Sequence, residues 1–297
     1  MVENFTPQHL RLSLHEFASL RNELIWAYDH APGSLTKVVT RNANSGNWAW
    51  FIRTGCLNLI HEDRTIRVNP GQWILLPEGT SQHVFEENTH IISIHYRCQW
   101  PSGENLVRTQ QGLVFEAKKF PELLKSATKL AKTVSTAVPK SAIYNTYHSQ
   151  QLDFRSYLRI ESLFLEWLGL WSEVVQSEGA EWVKNHTEDE RLYKAIRILN
   201  KHPLSQKLPE DTLMEETGLS MVHLNRLMLN YSGFTIRKYW ENRRLNMAQD
   251  ALMDTRKSIK EIAYQLEFRS DSLFVNWFKR REGISPGQYR EENTTQH

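Results

Sequence analysis

Apolar residues change their period twice along this chain, and the changes divide it into three stretches. Between residues 35 and 98, short β-prone runs at 35–39, 48–52, 56–60 and 91–96 dominate, several alternating apolar and polar. Turn-forming residues separate them: Asn44-Ser45-Gly46, Thr54-Gly55, Glu62-Asp63, Asn69-Pro70-Gly71, Pro77-Glu78-Gly79 and Glu86-Glu87-Asn88. Strands this short and this regularly punctuated predict an antiparallel barrel or jelly roll. The spacing then turns helical, from Pro121 to about Val134 and again over 152–175. In the longer segment Leu152, Leu158, Leu163, Phe164, Trp167, Leu168, Trp171 and Val175 fall largely on one stripe. A stripe this wide suits packing on the barrel and on a second copy of the chain; packing in the core alone is the alternative. Residues 177–180 and 185–190 read as a linker.

Beyond the linker every element reads as a helix. Leu192, Ala195, Ile196 and Leu199 line one face of a helix over 191–200 that Pro203 stops. Pro209 suits the first turn of a short helix ending at Gly218, and Ser220 is placed to cap the next, 221–230. There Leu224, Leu227 and Met228 face inward, which leaves Val222, Asn225 and Arg226 facing out. Gly233 closes that helix, and 236–253 follows as one long helix. Ser258 and Glu261 then form a capping box, with Ile262, Ala263 and Leu266 at core positions. Ser270 caps a last helix with Leu273, Phe274, Trp277 and Phe278 inward and Asp271, Ser272, Val275 and Asn276 outward, and Gly283 ends it. One module is therefore written twice, about fifty residues apart: a short helix, a tight turn, a second helix, a glycine stop and a tyrosine, Tyr239 or Tyr289. Two helix-turn-helix units imply two helices offered to two DNA major grooves. The helix between them spans roughly 25 Å, within reach of the ~34 Å that separates successive grooves on one side of B-DNA.

Composition changes this picture little. A chain of 297 residues suggests two domains and has the make-up of a globular protein. No run approaches the roughly 18–20 apolar residues of a membrane span, and the first residues lack a signal-peptide pattern, so a cytoplasmic location is expected. Cys56 and Cys98 lie far apart without metal-like spacing and read as reduced core thiols. The net charge of +2 does not argue for nucleic acid by itself, but residues 187–297 hold 18 Lys and Arg against 16 Asp and Glu, so the excess lies wholly there. Arg243-Arg244, Arg256-Lys257-Lys260 and Lys279-Arg280-Arg281 are local clusters, either solvated helix faces or phosphate contacts. No carboxylate pair, nucleophile elbow or phosphate loop points to an enzyme.

The run from Ser258 to Arg290 closely resembles the signature of the AraC/XylS family of bacterial transcription regulators, through Ile262, Ala263, Phe268, Phe274, Phe278, Lys279, Gly283, Ser285, Pro286, Tyr289 and Arg290. The first module matches through Leu213, Gly218, Leu219, Ser220, Leu224, Arg226, Gly233 and Arg244, and the resemblance covers about residues 190–291. It implies that base contacts fall on Val222, Asn225 and Arg226, and on Asp271, Ser272, Val275 and Asn276. The chemistry agrees in part: arginine reads guanine, asparagine reads adenine and valine suits a thymine methyl. Arg226 bonded to phosphate or to an internal carboxylate, and Asp271 as a cap, are the alternatives. Phosphate contacts are expected near helix N-termini, at Thr235 and Arg237 for example. Three positions depart from the family pattern: Glu267 stands at the turn glycine, Asn276 at the usual arginine and Met214 at the usual alanine.

Gly55, Pro70-Gly71 and Pro77 resemble more loosely the two turns of a cupin barrel, the effector-sensing domain of many such regulators. A metal-binding cupin carries a His-x-His pair where this chain has Trp48-Ala49-Trp50, so no metal or other cofactor is expected. Trp48, Trp50, Trp73, His83 and Tyr96 are candidate effector-binding residues, suited to a sugar or another small planar molecule; a packed barrel core is the competing reading. The expectation is an α+β chain of two domains. Residues 1–180 form a cupin-like antiparallel β-barrel with helices, for sensing and dimerisation. Residues 188–297 form an all-α domain with two helix-turn-helix motifs joined by a linker helix. The expected function is promoter recognition in response to a small-molecule effector, with double-stranded DNA, a second copy of the chain and RNA polymerase as partners. A metal-independent cupin enzyme with a C-terminal interaction module is the alternative.

Overall fold

A computed structural model describes residues 17–32, 35–41, 46–100, 104–108, 111–138, 151–183, 189–204, 206–254 and 256–295. The chain divides into two compact units, the first made of residues up to 99 and from 105 to 183, the second of the later residues with 100–104. The expected linker residues 185–188 and turn residues 44 and 45 lie outside the described residues.

The N-terminal unit contains two antiparallel sheets. One has five strands in the order β1 (Arg21–His30), β8 (His90–Gln99), β3 (Asn47–Thr54), β6 (Gln72–Leu75), β10 (Leu113–Glu116). The other has four, β2 (Thr36–Arg41), β7 (Gly79–Phe85), β4 (Leu57–His61), β5 (Arg64–Val68). Among the described residues no ladder joins them, so the closed barrel expected from the sequence is instead a pair of facing sheets. Alternation explains the pairing. Trp48, Trp50, Ile52 and Ile91 of one sheet pack with Leu57, Leu59 and Phe85 of the other in a single apolar core. The sharp turn into β4 requires Gly55: its φ is +67°, and a Cβ there would lie 2.3 Å from the Thr89 hydroxyl.

Residues between those core positions point to the opposite face of the five-stranded sheet, which helices cover. Two helices supply the cover, α1 (Pro121–Ala137) and α2 (Phe154–Ser177), and α1 packs on both β1 and α2. Trp73, Tyr96 and Phe115 on the sheet meet Trp167 and Trp171 of α2, with ring centroids 5.2 to 5.7 Å apart. Trp171 Nε1 donates to the Tyr96 hydroxyl at 2.6 Å. Arg53 of β3 adds a polar tie, donating to Asp29 at 2.8 and 2.6 Å and to Thr128 of α1 at 3.1 Å. After α2 the chain adds a short strand, β11 (Glu181–Trp182), paired with β9 (Val107–Arg108), which extends this unit to Val183.

The C-terminal unit is helical: α3 (Glu190–Lys201), α4 (Glu210–Thr217), α5 (Met221–Ser232), α6 (Ile236–Met253), α7 (Ile259–Gln265), α8 (Asp271–Glu282) and α9 (Pro286–Thr295). Its caps follow from sequence. Asp189, Ser220, Thr235, Ser258 and Ser270 each accept a backbone N–H of the helix they precede, and both bonds of the Ser258–Glu261 capping box form. The Arg191 side chain, donating to Asp189, holds that carboxyl down to about 2. Two cores result. The first gathers Leu192, Leu199, Leu213, Leu224 and Met228 with Ile236, Tyr239 and Trp240. The second gathers Ile262, Phe274, Trp277 and Phe278 with Leu245, Ala248 and Leu252. Helix α6 serves both. At 3.6 residues per turn its first three core residues and its last three lie roughly 150° apart around the axis, which explains why α6 has no continuous apolar stripe. Ala263 is fully buried, whereas Met214 is half-buried and stands outside the first core.

Where the first module turns at Gly218, with φ +66°, the second turns at Glu267, with φ +55°. The backbone bonds there, Phe268 N to Ala263 O and Glu267 N to Tyr264 O (both 2.9 Å), are those of a Schellman stop, which favours glycine at the left-handed position. Arg244 secures this turn, donating to Leu266 O at 2.9 Å and lying 4.3 Å from the Phe268 ring centroid. Replacing Glu267 with glycine relieves the left-handed side chain but frees the unfolded backbone. The net expectation is a gain of about 0.5–1 kcal/mol, read as a higher urea midpoint; a lower midpoint would show that the Glu267 side chain stabilises the turn.

Candidate nucleic-acid interface

Each module presents the outward side of its second helix. On α5, Leu224 and Met228 are fully buried, so the stripe opposite them faces solvent. It carries Val222, 81% exposed, with His223, Arg226 and Leu229. Arg226 donates to His223 Nε2 at 2.6 Å, one turn away, so the two side chains form one exposed unit. Among the described residues no carboxylate pairs with Arg226. Asn225 differs from its neighbours. It is half-buried, and its Oδ1 accepts the Ile236 backbone N–H at 3.0 Å, tying α5 to the first turn of α6. Bidentate reading of adenine needs both the oxygen and the amide nitrogen, and here the oxygen is engaged. Asn225 thus acts in this geometry as a positioning residue, a role the spacing of the sequence did not reveal.

On α8, Asp271, Ser272 and Asn276 are exposed and Val275 is half-buried. Asp271 accepts the Ser272 N–H at 2.9 Å, and the cap itself is Ser270. Leu273, expected inward, is 51% exposed: Phe274, Trp277 and Phe278 fill the inner face. His223, Leu229 and Leu273 are the candidate contacts that sequence reasoning missed. The first two were accessible to it, because 223, 226 and 229 repeat at helical spacing.

The arginine clusters divide between two uses. Arg243 donates to the carbonyls of Leu199 and of Asn200, the latter at 3.1 Å, closing the end of α3. Arg244 holds the Glu267 turn, and Arg290 donates to Leu252 O at 3.0 Å and Lys257 O at 2.8 Å. Burial lowers the affinity of Arg243 and Arg244 for their protons, as expected for interior staples. Arg281 bonds Glu241, which also accepts Trp277 Nε1 at 3.2 Å. Arg237, Lys279 and Arg280 are exposed, and Arg237 lies in the first turn of α6, whose cap is Thr235.

The five candidate effector residues do not form one site. Trp48, Trp50 and His83 face the core between the sheets, where Trp48 stacks on His95 at 3.7 Å and Trp50 meets His83 edge-on at 5.0 Å. His83 is paired with the Ser81 hydroxyl at 3.0 Å. Trp73 and Tyr96 lie on the opposite face, under α2. Strand alternation separates the two groups.

Replacing Arg226 with alanine should leave the fold intact and cost about 1–3 kcal/mol of sequence discrimination, read by competition binding with specific and scrambled DNA. Replacing Asn225 with alanine should in addition lower stability by about 1 kcal/mol, because the Ile236 N–H loses its acceptor. A normal melting temperature for that variant would remove the positioning role.

The helix-turn-helix domain family matches residues 213–292. The probable transcription factor PqrA of Proteus vulgaris is 33% identical over 84 residues, which cover 28% of this chain and 69% of that protein. The transposon Tn10 TetD protein of Escherichia coli is 32% identical over 97 residues, covering 33% of this chain and 70% of that protein. A solved structure of ToxT from Vibrio cholerae covers 92% of this chain and 98% of its own, at 15% identity and a TM-score of 0.48. With a helical C-terminal unit that matches this domain family and relatives of this kind over the same residues, the chain belongs to the AraC/XylS family of DNA-binding transcription regulators.

Proposed function

We propose that this regulator binds promoter DNA with α5 and α8 in successive major grooves, as a homodimer whose N-terminal unit senses a small molecule. The observation that carries the reading is the sharing of α6 between two cores, which fixes two outward helices on one rod. At ~1.5 Å per residue its 18 residues span about 27 Å, close to the spacing of adjacent grooves. Arg226 and Val222 supply direct base contacts from α5; Asp271, Ser272, Val275 and Asn276 supply a different and weaker reading from α8. Asn225 aims α5. Arg237 and the α6 N-terminus contact phosphate.

Dimerisation is supported by α2. Its inward residues Leu163, Phe164, Trp167, Trp171 and Val175 are consumed by the sheet. Phe154, Tyr157, Leu158 and Leu165 remain exposed on one face of the same helix, an apolar patch that suits a second copy. Among the described residues no helix is long and apolar enough to cross a membrane; we place the protein in the cytoplasm, with its DNA and RNA polymerase. An effector that binds one dimer or domain arrangement more tightly than another would shift the population fitting promoter half-sites.

A gel shift on DNA upstream of its own gene and the neighbouring genes tests the reading. Specific binding should fall by about a thousandfold or more between 50 and 200 mM salt, the behaviour of a protein neutralising several phosphates. Absence of any specific shift would favour the cupin-enzyme alternative. The double variant Phe154→Glu, Leu158→Glu should sediment as a monomer and bind the paired half-sites at least tenfold more weakly; an unchanged dimer would locate the interface elsewhere.

A further inference from the structure

We propose that a cavity of about 370 Å³ on the outer face of the five-stranded sheet is the ligand site of the N-terminal unit, and that it takes a neutral, mainly apolar molecule carrying one hydrogen-bond-accepting oxygen. Its floor is two neighbouring cross-strand pairs, Asn47 opposite Tyr96 and Asn22 opposite Cys98. Its roof is α2, through Leu165, Leu168, Gly169 and Trp171, and Val107 and Trp182 form a side wall. The size falls in the range of small-molecule pockets, and mostly apolar walls with a few fixed polar groups are their usual make-up.

Two buried donors of the lining lack acceptors among the described residues. The Tyr96 hydroxyl accepts from Trp171 Nε1, but its own proton meets no acceptor among the described residues, although Tyr96 is only 2% exposed. Burial raises its proton affinity, so it remains a donor at every working pH. The Trp182 indole N–H, in the side wall, is buried and has no partner among the described residues. Buried donors of this kind are rarely left unpaired without a reason. An accepting oxygen on a ligand would satisfy such a donor.

The lining also excludes classes of ligand. Among the described residues the lining holds no cation, and its one ionisable carboxylate, Glu173, is exposed, which disfavours a buried carboxylate or phosphate. Burial pushes the Cys98 thiol up to about 12, which leaves it neutral and unsuited to covalent capture.

Gly169, exposed on α2, lines this space. It sits in the interior of α2, where glycine weakens a helix relative to alanine. A Cβ there would meet nothing within 4 Å, so no packing contact demands its smallness. A larger side chain would occupy the cavity instead. Leu165 lines the cavity and also belongs to the exposed face of α2, so a molecule seated there touches the helix assigned to dimerisation.

The proposal rests on the effector-responsive reading only in calling the ligand an effector, and its test needs no DNA. The full chain is titrated with the neutral ketone 6-propionyl-2-(dimethylamino)naphthalene, whose emission shifts to the blue in apolar sites, and with 2-(dimethylamino)naphthalene, which lacks the ketone. The unsubstituted protein should bind the ketone. Gly169→Leu should weaken it at least tenfold without lowering the melting temperature. Tyr96→Phe should weaken the ketone several-fold and the ketone-free compound hardly at all. No binding by the unsubstituted protein overturns the site, as does undiminished binding by folded Gly169→Leu. If Gly169→Leu does not fold, Tyr96→Phe decides alone, and equal effects on the two probes count against the site. Loss of specific DNA binding with probe binding intact would instead sink the proposed function and leave the cavity standing.

Discussion

The C-terminal unit depends on one constraint, the reversal of the buried face of α6 halfway along its length. Ile236, Tyr239 and Trp240 are needed by one core and Leu245, Ala248 and Leu252 by the other. Each core takes half of the long helix α6. Because rise and rotation are locked together in a helix, the length of α6 sets the distance between α5 and α8 and also their relative rotation. The arginines reinforce this rod at its seams. Arg243 joins α6 to the last carbonyls of α3, Arg244 joins it to the turn before α8, and Arg290 closes its C-terminal end. Cations at helix C-termini are favourable on electrostatic grounds as well.

The two modules built on that rod are unequal. The first has a glycine turn and an outward arginine, and its asparagine is used as a structural tie. The second tolerates a left-handed glutamate, held by a guanidinium that bonds the preceding carbonyl and covers the following aromatic ring. A turn stabilised from outside in this way keeps the geometry of a glycine stop without the glycine. The outward face of α8 is short-chained and partly acidic, unlike that of α5 with its His223–Arg226 pair.

In the N-terminal unit the tryptophans serve two layers. A strand sends successive side chains to opposite faces, so Trp48 and Trp50 enter the space between the sheets while Trp73 and Tyr96 meet α2. The first group is consumed by stacking on histidines and by apolar packing. The second belongs to a sheet–helix interface that is incompletely filled, and Tyr96 and Gly169 mark where the filling stops.

The sequence by itself determined the helical modules in detail. Caps, glycine stops and the capping box act over three or four residues, so Ser220, Gly218, Ser258 and Glu261 could be assigned their places without a fold, and Glu267 could be recognised as an unusual turn residue. It also determined that residues 35–98 form strands, because period-two alternation is local. What it could not supply were contacts between residues distant in the chain. Closure of the strands into a barrel, the inward position of Leu273, a single site for five aromatic and histidine side chains and a solvated Arg243-Arg244 pair all required knowing which elements face each other. Tertiary packing decided these: ladders end before the sheets join, Phe274 and Trp277 leave no room for Leu273, and Asn225 finds its acceptor role eleven residues away at Ile236. Local hydrogen-bond geometry is encoded within a turn of chain, whereas burial depends on neighbours that only the folded structure brings together.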